Sequence, residues 1–206
     1  MVWLKRGLGA LSVVVIALLA YGLYLPRIQS VETSEYIQAP TELILPYLLQ
    51  AEKLQAWSPQ RQLDSSLVIL YGPIRAGVGA QYQWMGKSVG TGSLAIVSSD
   101  SAATVATRLQ LGDGETASGW LQLLPKDSGQ VLIQGFSLDA GWNLRARYGN
   151  LNRLDGLKAG MLQGSSLLKE WVEKDLQMRE AQTVAASDSV AHAPIDTLST
   201  EVKTAE

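Results

Sequence analysis

The feature that most limits what this chain can fold into is a long stretch with no helical pattern in it. From Leu67 to Leu138 it reads "LVILYG", "AQYQWMG", "GSLAIVS", "ATVATRLQL", "GWLQLLP" and "QVLIQGFSL". These are β-branched, aromatic and apolar runs separated by glycine, proline and aspartate, which is the pattern of successive strands. Parallel neighbours would need crossovers of a dozen or more residues, and the gaps here are far shorter, so the strands form an antiparallel meander. Such a sheet has one apolar face, and something must cover it.

The only element large enough to do so follows directly. Asn150 to about Gln182 places Leu151, Leu154, Leu157, Met161, Leu168, Trp171 and Leu176 at near-helical spacing, with Lys169, Glu170, Glu173 and Lys174 on the other sides. Before the meander, "SVETSEYIQ" (Ser30 to Gln38) reads as one more strand, and Pro40 opens a helix in the position proline favours. Pro46 keeps that helix short, and "AEKLQAW" makes a second short piece ending near Trp57, Ser58 and Pro59. The expected order is strand, two short helices, six strands, long helix.

The long helix carries an anomaly. Gly156, Gly160 and Gly164 recur at four-residue spacing along one ridge, each costing a helix about 1 kcal/mol relative to alanine. A bare ridge at the middle of a helix lying across a curved sheet either lets the backbone approach the sheet or leaves a void beneath it. The sequence does not choose between close packing and a cavity. A third reading, a membrane-type helix pair through G-x-x-x-G, is weak, because Lys158, Gln163 and Lys169 make the segment too polar to span a bilayer.

Two appendages flank this domain. "LGALSVVVIALLAYGLYL", Leu8 to Leu25, is uncharged and long enough to cross a bilayer core. Lys5 and Arg6 precede it, and only Arg27 closely follows, which predicts a cytoplasmic N-terminus and an extracytoplasmic remainder. No small-residue cleavage site follows the run, so it reads as an anchor in preference to a signal peptide. Trp3 fits the membrane interface. At the other end, residues 183–206 are small and polar without an aromatic, a composition that cannot order itself. The boundaries are therefore 1–29 anchor, 30–182 folded domain, 183–206 polar tail.

Composition removes several function classes. A net charge of -2 over 206 residues gives no basic stripe for nucleic acid. The absence of cysteine rules out disulfides and thiolate chemistry, and the single histidine, His192, lies in the tail, which leaves no triad and no metal site built on histidine. "GVGA" lacks the spacing and the following helix of a phosphate loop. No cofactor and no metal are expected.

Six tryptophans suggest an aromatic-lined pocket, because large rings are the usual lining for a flat or greasy ligand. Trp57, Trp84, Trp120 and Trp142 all lie at or beside sheet elements, and Trp171 reads as a helix-to-sheet contact. Period-two reading puts Ala80, Tyr82 and Trp84 on one strand face and Leu94 and Ile96 on one face of the next. The candidate ligand-binding set is Trp57, Tyr82, Trp84, Leu94, Ile96, Arg108, Trp120, Phe136, Gly160, Met161 and Gly164. Arg108 lies mid-strand: facing inward it would need an anion, and outward is the better reading. For acid–base chemistry the candidates are Glu115, Asp139, Asp155, Tyr82 and Arg108, with Arg145 and Arg147 as oxyanion partners, and none forms a spacing signature. Asp155 sits near the expected helix start, where the dipole favours a negative charge.

The element order, "IQAP" (Ile37 to Pro40), "AWSP" (Ala56 to Pro59), "GPIRAGVGAQYQWMG" (Gly72 to Gly86), "VGTGSLAI" (Val89 to Ile96), and Gly164, Leu168 and Lys169 resemble the START-related, helix-grip superfamily termed SRPBCC. Within it they resemble the bacterial membrane-anchored polyketide cyclase or lipid-transport-like proteins. The resemblance covers about Val31 to Glu173, and the chain departs from it in "KAGMLQ" and in its tail. It implies an α+β fold in which a curved seven-stranded antiparallel sheet grips a long C-terminal helix around a hydrophobic cavity. Three functions follow as expectations: a membrane-anchored module holding a hydrophobic or lipid-like small molecule, a cyclase- or dehydratase-like enzyme, or a protein-interaction scaffold whose cavity its own side chains fill.

Overall fold

A computed structural model describes residues 2–100, 104–112 and 114–191. Ala103, expected to open a strand, and residues 192–206 with His192 lie outside the described residues. The elements in chain order are α1 (Val2–Tyr24), β1 (Ile28–Ile37), α2 (Thr41–Leu49), α3 (Ala51–Ala56), α4 (Gln60–Leu63), β2 (Val68–Tyr71), β3 (Gln81–Gly86), β4 (Gly90–Ser99), β5 (Thr104–Leu111), β6 (Thr116–Lys126), β7 (Gly129–Asp139) and α5 (Leu144–Ala191).

All seven strands form one antiparallel sheet in the order β1-β7-β6-β5-β4-β3-β2. The meander pairs strand to strand as its short turns require, and β1 closes on β7, with Ile28 opposite Asp139 and Ile37 opposite Gln130. Alternation decides the faces: Tyr82 and Trp84 are buried between exposed Gln83 and Met85, and Val105, Thr107 and Leu109 are buried while Arg108 and Gln110 are exposed. A register shift between Ile96 and Ser98 makes a bulge in β4, and the extra residue increases the local bend and twist of the sheet.

Among the described residues the short helices number three, where the sequence suggested two. Pro46 sits inside α2, and the helix breaks at Gln50, whose extended backbone (φ -96°, ψ 126°) pairs with Ala76 in an isolated bridge. After Trp57, the Ser58-Pro59 step starts the single turn α4. Leu63 closes this turn, and the buried carboxylate of Asp64 follows it. That carboxylate accepts the amides of Ser66 (2.9 Å), Ser88 (2.6 Å) and Val89 (3.2 Å) and the Ser66 hydroxyl (2.5 Å). Asp64 thereby ties α4 to the β3–β4 turn, and these bonds hold its pKa down at about 2.

The long helix begins earlier and ends later than its apolar pattern suggested. Asn143 caps it, its side-chain oxygen accepting the Ala146 amide at 3.2 Å. Asp155 is consequently well inside α5 and exposed, away from the helix start. At the other end the helix runs to Ala191, past the Gln182 boundary.

The distal part of α5 supplies the solid half of the core. Leu168 and Val172 are fully buried with Ile37, Ile44, Leu48, Ile96 and Leu132. Trp171, expected against the sheet, is 38% exposed, because Val172 takes the sheet-facing position. Lys169 pairs with Glu35 at 3.3 Å and Glu173 accepts the Gln38 amide at 3.1 Å, which fixes α5 alongside β1.

At its N-terminal end α5 packs on α1. A Cβ on Gly22 would stand 2.9 Å from the Tyr148 ring. The guanidinium of Arg147, only 5% exposed, donates from Nη1 to the carbonyls of Gly22 (3.3 Å), Leu23 (3.1 Å) and Leu25 (3.0 Å), and from Nε and Nη2 to Gly141 O. These are the carbonyls that the end of α1 leaves without intrahelical partners, and a cation there also meets the negative end of the helix dipole.

Candidate functional site

Between the concave sheet face and the first half of α5 lies a cavity of about 430 Å³. Its floor comes from alternate positions of neighbouring strands, in register: Tyr82 opposite Leu94, Leu94 opposite Leu109, with Trp84, Thr107, Leu121 and Phe136 around them. One wall is Leu54, Trp57, Ser58, Pro59, Gln60 and Leu63 from α3, α4 and the turn between them, and the roof is Arg153, Gly156, Leu157, Gly160 and Met161 of α5.

The glycine ridge explains why the roof does not close the space. A Cβ on Gly156 meets nothing within 4 Å, and one on Gly160 meets only a Pro59 ring carbon at 3.6 Å. On Gly164 the same atom would stand 3.1 Å from Cε3 of Trp57 and 3.2 Å from the Trp57 carbonyl. Both readings of the ridge hold, at different residues: Gly164 permits close packing, and Gly156 and Gly160 leave room.

The glycines in the sheet position the rings. Trp84 lies across Gly92, its cross-strand partner, where a Cβ would come within 2.2 Å of Cζ2. Tyr82 and Trp84 stand 5.9 Å apart with tilted planes, and the Trp57 indole donates to the Tyr47 carbonyl at 3.1 Å. These contacts leave the three rings little rotational freedom.

Polar groups are few. Gln134, buried on β7, donates to the Met161 carbonyl at 2.9 Å and bridges floor to roof. The Gln60 side-chain oxygen is buried without a hydrogen-bond partner. Tyr82 is 3% exposed, and burial raises its hydroxyl pKa well above 10.0, against a smaller opposing effect of the neighbouring Ser58 hydroxyl. At the rim, Arg153 forms an ion pair with Glu115 from the β5–β6 turn. Gln163 donates to Gln62 at 2.6 Å, which links α5 to α4. Among the described residues no aspartate, glutamate or histidine lines the cavity.

Of the residues singled out from sequence, the structure brings together Trp57, Tyr82, Trp84, Leu94, Phe136, Gly160 and Met161. Four others behave differently. Arg108 is exposed on the convex face, as its strand parity requires. Trp120 shares that convex parity, between the buried Gly119 and Leu121. Its indole lies across Gly135, so the ring is on the convex side although the residue borders the cavity. Ile96 points inward and is 2% exposed, sealed in the core behind the cavity. Gly164 is spent on Trp57.

The acid–base candidates are engaged elsewhere. Asp139 is held by Arg27, with both bonds at 2.9 Å, which keeps its pKa at about 2. Glu115 pairs with Arg153, Arg145 is exposed, and Arg147 binds the end of α1. Sequence reasoning missed the α4 wall and Arg153. The signals available were Pro59 as a helix opener and Arg153 one turn before the bare ridge.

No protein-family model and no curated protein sequence matches the chain. Solved structures do match. Ara h 8.0201 aligns over 71% of this chain and 99% of its own, at 14% identity and a TM-score of 0.52. TTHA0849 from Thermus thermophilus covers 71% and 99% at 18% identity and a TM-score of 0.51. A protein of unknown function from Staphylococcus aureus, SA2116, covers 73% and 96% at 10% identity and a TM-score of 0.54. The chain has the helix-grip fold. At these identities the likeness establishes the architecture: a seven-stranded antiparallel sheet, short helices and a long closing helix, here preceded by an apolar N-terminal helix.

Proposed function

We propose that this helix-grip domain is a membrane-tethered carrier of one hydrophobic or lipid-like small molecule, held between the sheet and α5. The single observation that carries this reading is the void beneath Gly156 and Gly160, where the helix forgoes side chains and the space is left unfilled. Apolar side chains dominate the lining, so burying an apolar body there yields roughly 25 cal/mol per Å² removed from water. The volume has room for on the order of twenty non-hydrogen atoms at the packing density of organic crystals. A polycyclic or single-chain molecule fits, and a whole two-chain phospholipid does not. Its one polar end belongs at the rim, near the Gln60 amide and Arg153.

The tether is α1, whose Arg6–Tyr24 segment is long and apolar enough to cross a membrane. The Arg147 bonds favour retention of α1 over cleavage, since removing it would strip a buried guanidinium of three carbonyl partners. With the N-terminus cytoplasmic, the domain is extracytoplasmic, at the bacterial inner membrane.

The test is binding of cis-parinaric acid to the full chain in lipid nanodiscs, read as energy transfer from tryptophan. Saturable transfer in the wild type that disappears in Gly160→Leu supports the carrier. Equal, non-saturable transfer in both overturns it.

A further inference from the structure

The corner where β7 passes into α5 carries features that neither core nor cavity uses. Trp142 is 83% exposed and stands 6.0 Å from the guanidinium carbon of Arg147, the group bonded to the last carbonyls of α1. Tyr24, at the end of α1, is 85% exposed. Tyr148 reaches along α1 to donate to the Leu18 carbonyl, inside the apolar run, and its ring sits 6.0 Å from that of Tyr21. The first turns of α5 thus lie beside the last two turns of α1.

These bonds fix the depth of the corner. Leu18 to Leu25 spans about 10 Å at helical rise. If the apolar run fills the bilayer core, Trp142 and Leu144, beside the last residues of α1, fall near the boundary between hydrocarbon and headgroups, where amphipathic aromatic rings are favoured, and Tyr148 runs from there down α1 into the hydrocarbon. Arg145, exposed on the same turn, adds a cation for headgroup phosphates. The cavity rim is close: Gly156 lies about 12 Å along α5 from Tyr148 at helical rise, and Arg153 is nearer.

We propose that the β7–α5 corner, Trp142 with Leu144, Arg145 and Tyr148, is a membrane-interface foot that seats the domain on the bilayer α1 crosses and keeps the cavity rim within reach of the headgroups. This rests on the reading of α1 as a membrane span. The occupant of the exposed indole is lipid, because the aromatic surface is continuous with the apolar helix.

The absence of cysteine in the chain makes every introduced thiol a unique labelling site. The full chain is reconstituted in vesicles of phosphatidylethanolamine and phosphatidylglycerol, with a spin label at Arg145→Cys on the foot, Lys158→Cys near the rim, Ser128→Cys in the β6–β7 turn, or Val14→Cys in the middle of α1. A nickel chelate tethered to lipid headgroups should broaden the Arg145→Cys label strongly, Lys158→Cys less, and Ser128→Cys not at all, while oxygen collisions place Val14→Cys in the bilayer core. Adding Trp142→Ala should reduce the broadening at Arg145→Cys several-fold. A deep Val14→Cys label with Arg145→Cys and Lys158→Cys as unbroadened as Ser128→Cys overturns the foot and leaves the span standing. An aqueous Val14→Cys label overturns the span and the foot together. Broadening unchanged by Trp142→Ala overturns the part assigned to Trp142.

Discussion

Gly164 lies against Trp57 so closely that a Cβ on it would stand 3.1 Å from the indole Cε3. One turn back on the same ridge the constraint disappears, and this contrast separates two kinds of glycine in one helix. Gly164→Leu should overpack the Trp57 contact and cost about 1–3 kcal/mol. Gly156→Ala, with open space around it, should raise stability by up to about 1 kcal/mol through helix propensity. Urea melts of the two variants check both, and similar destabilisation by both would contradict the division.

Arg147 holds α1 to the domain through four carbonyls, those of Gly22, Leu23, Leu25 and Gly141. Hydrogen bonds to a charged group are worth about 1.5–3 kcal/mol each, and acceptors left unpaired in a buried site add a penalty. Arg147→Ala should loosen the segment joining α1 to β1. Tryptic cleavage after Arg27 should then become faster by tenfold or more while the far-UV spectrum of the domain is retained.

Asp64 makes the domain sensitive to acid. Its folded pKa, about 2, lies below the ordinary 3.8 because of its bonds to Ser66, Ser88 and Val89. A depressed carboxylate contributes stability that is present above pH 4 and lost as pH falls toward 2. Asp64→Asn should flatten this acid limb in urea melts taken between pH 2 and pH 5, and an unchanged limb would refute the assignment.

Tyr82 gives the opposite limb. Burial raises its pKa above the ordinary 10.0, so its hydroxyl stays protonated while exposed tyrosines ionise. The stability associated with it is full below pH 10 and declines as pH rises, because the unfolded chain ionises first. Ultraviolet titrations of wild type and Tyr82→Phe should superpose up to about pH 11, whereas a missing titrating group near pH 10 in the variant would show that Tyr82 is wet.

Most of the architecture was legible from local pattern. Most of the strands alternate and their turns are short, so meander and antiparallel order follow from turn residues such as Gly114 and Asp127. What was not legible depends on tertiary context. The start of α5 was missed because its first turns, Leu144 to Tyr148, face α1 and show no sheet-directed periodicity, although Asn143 before "LRAR" is a cap signal. Trp120 was placed inside because a ring in a strand looks the same on either face, and only its register opposite Gly135 turns it outward. The three ridge glycines are identical in sequence, and only the position of Trp57 distinguishes Gly164 from Gly160.

The most direct test of the account is mass spectrometry of organic extracts from the full chain purified out of its own membranes, comparing wild type with the Gly156→Leu, Gly160→Leu double variant. The account predicts a hydrophobic molecule near one equivalent in the wild type and its loss in a variant that still melts cooperatively. Extracts of both proteins equally empty, or equally loaded, would contradict it.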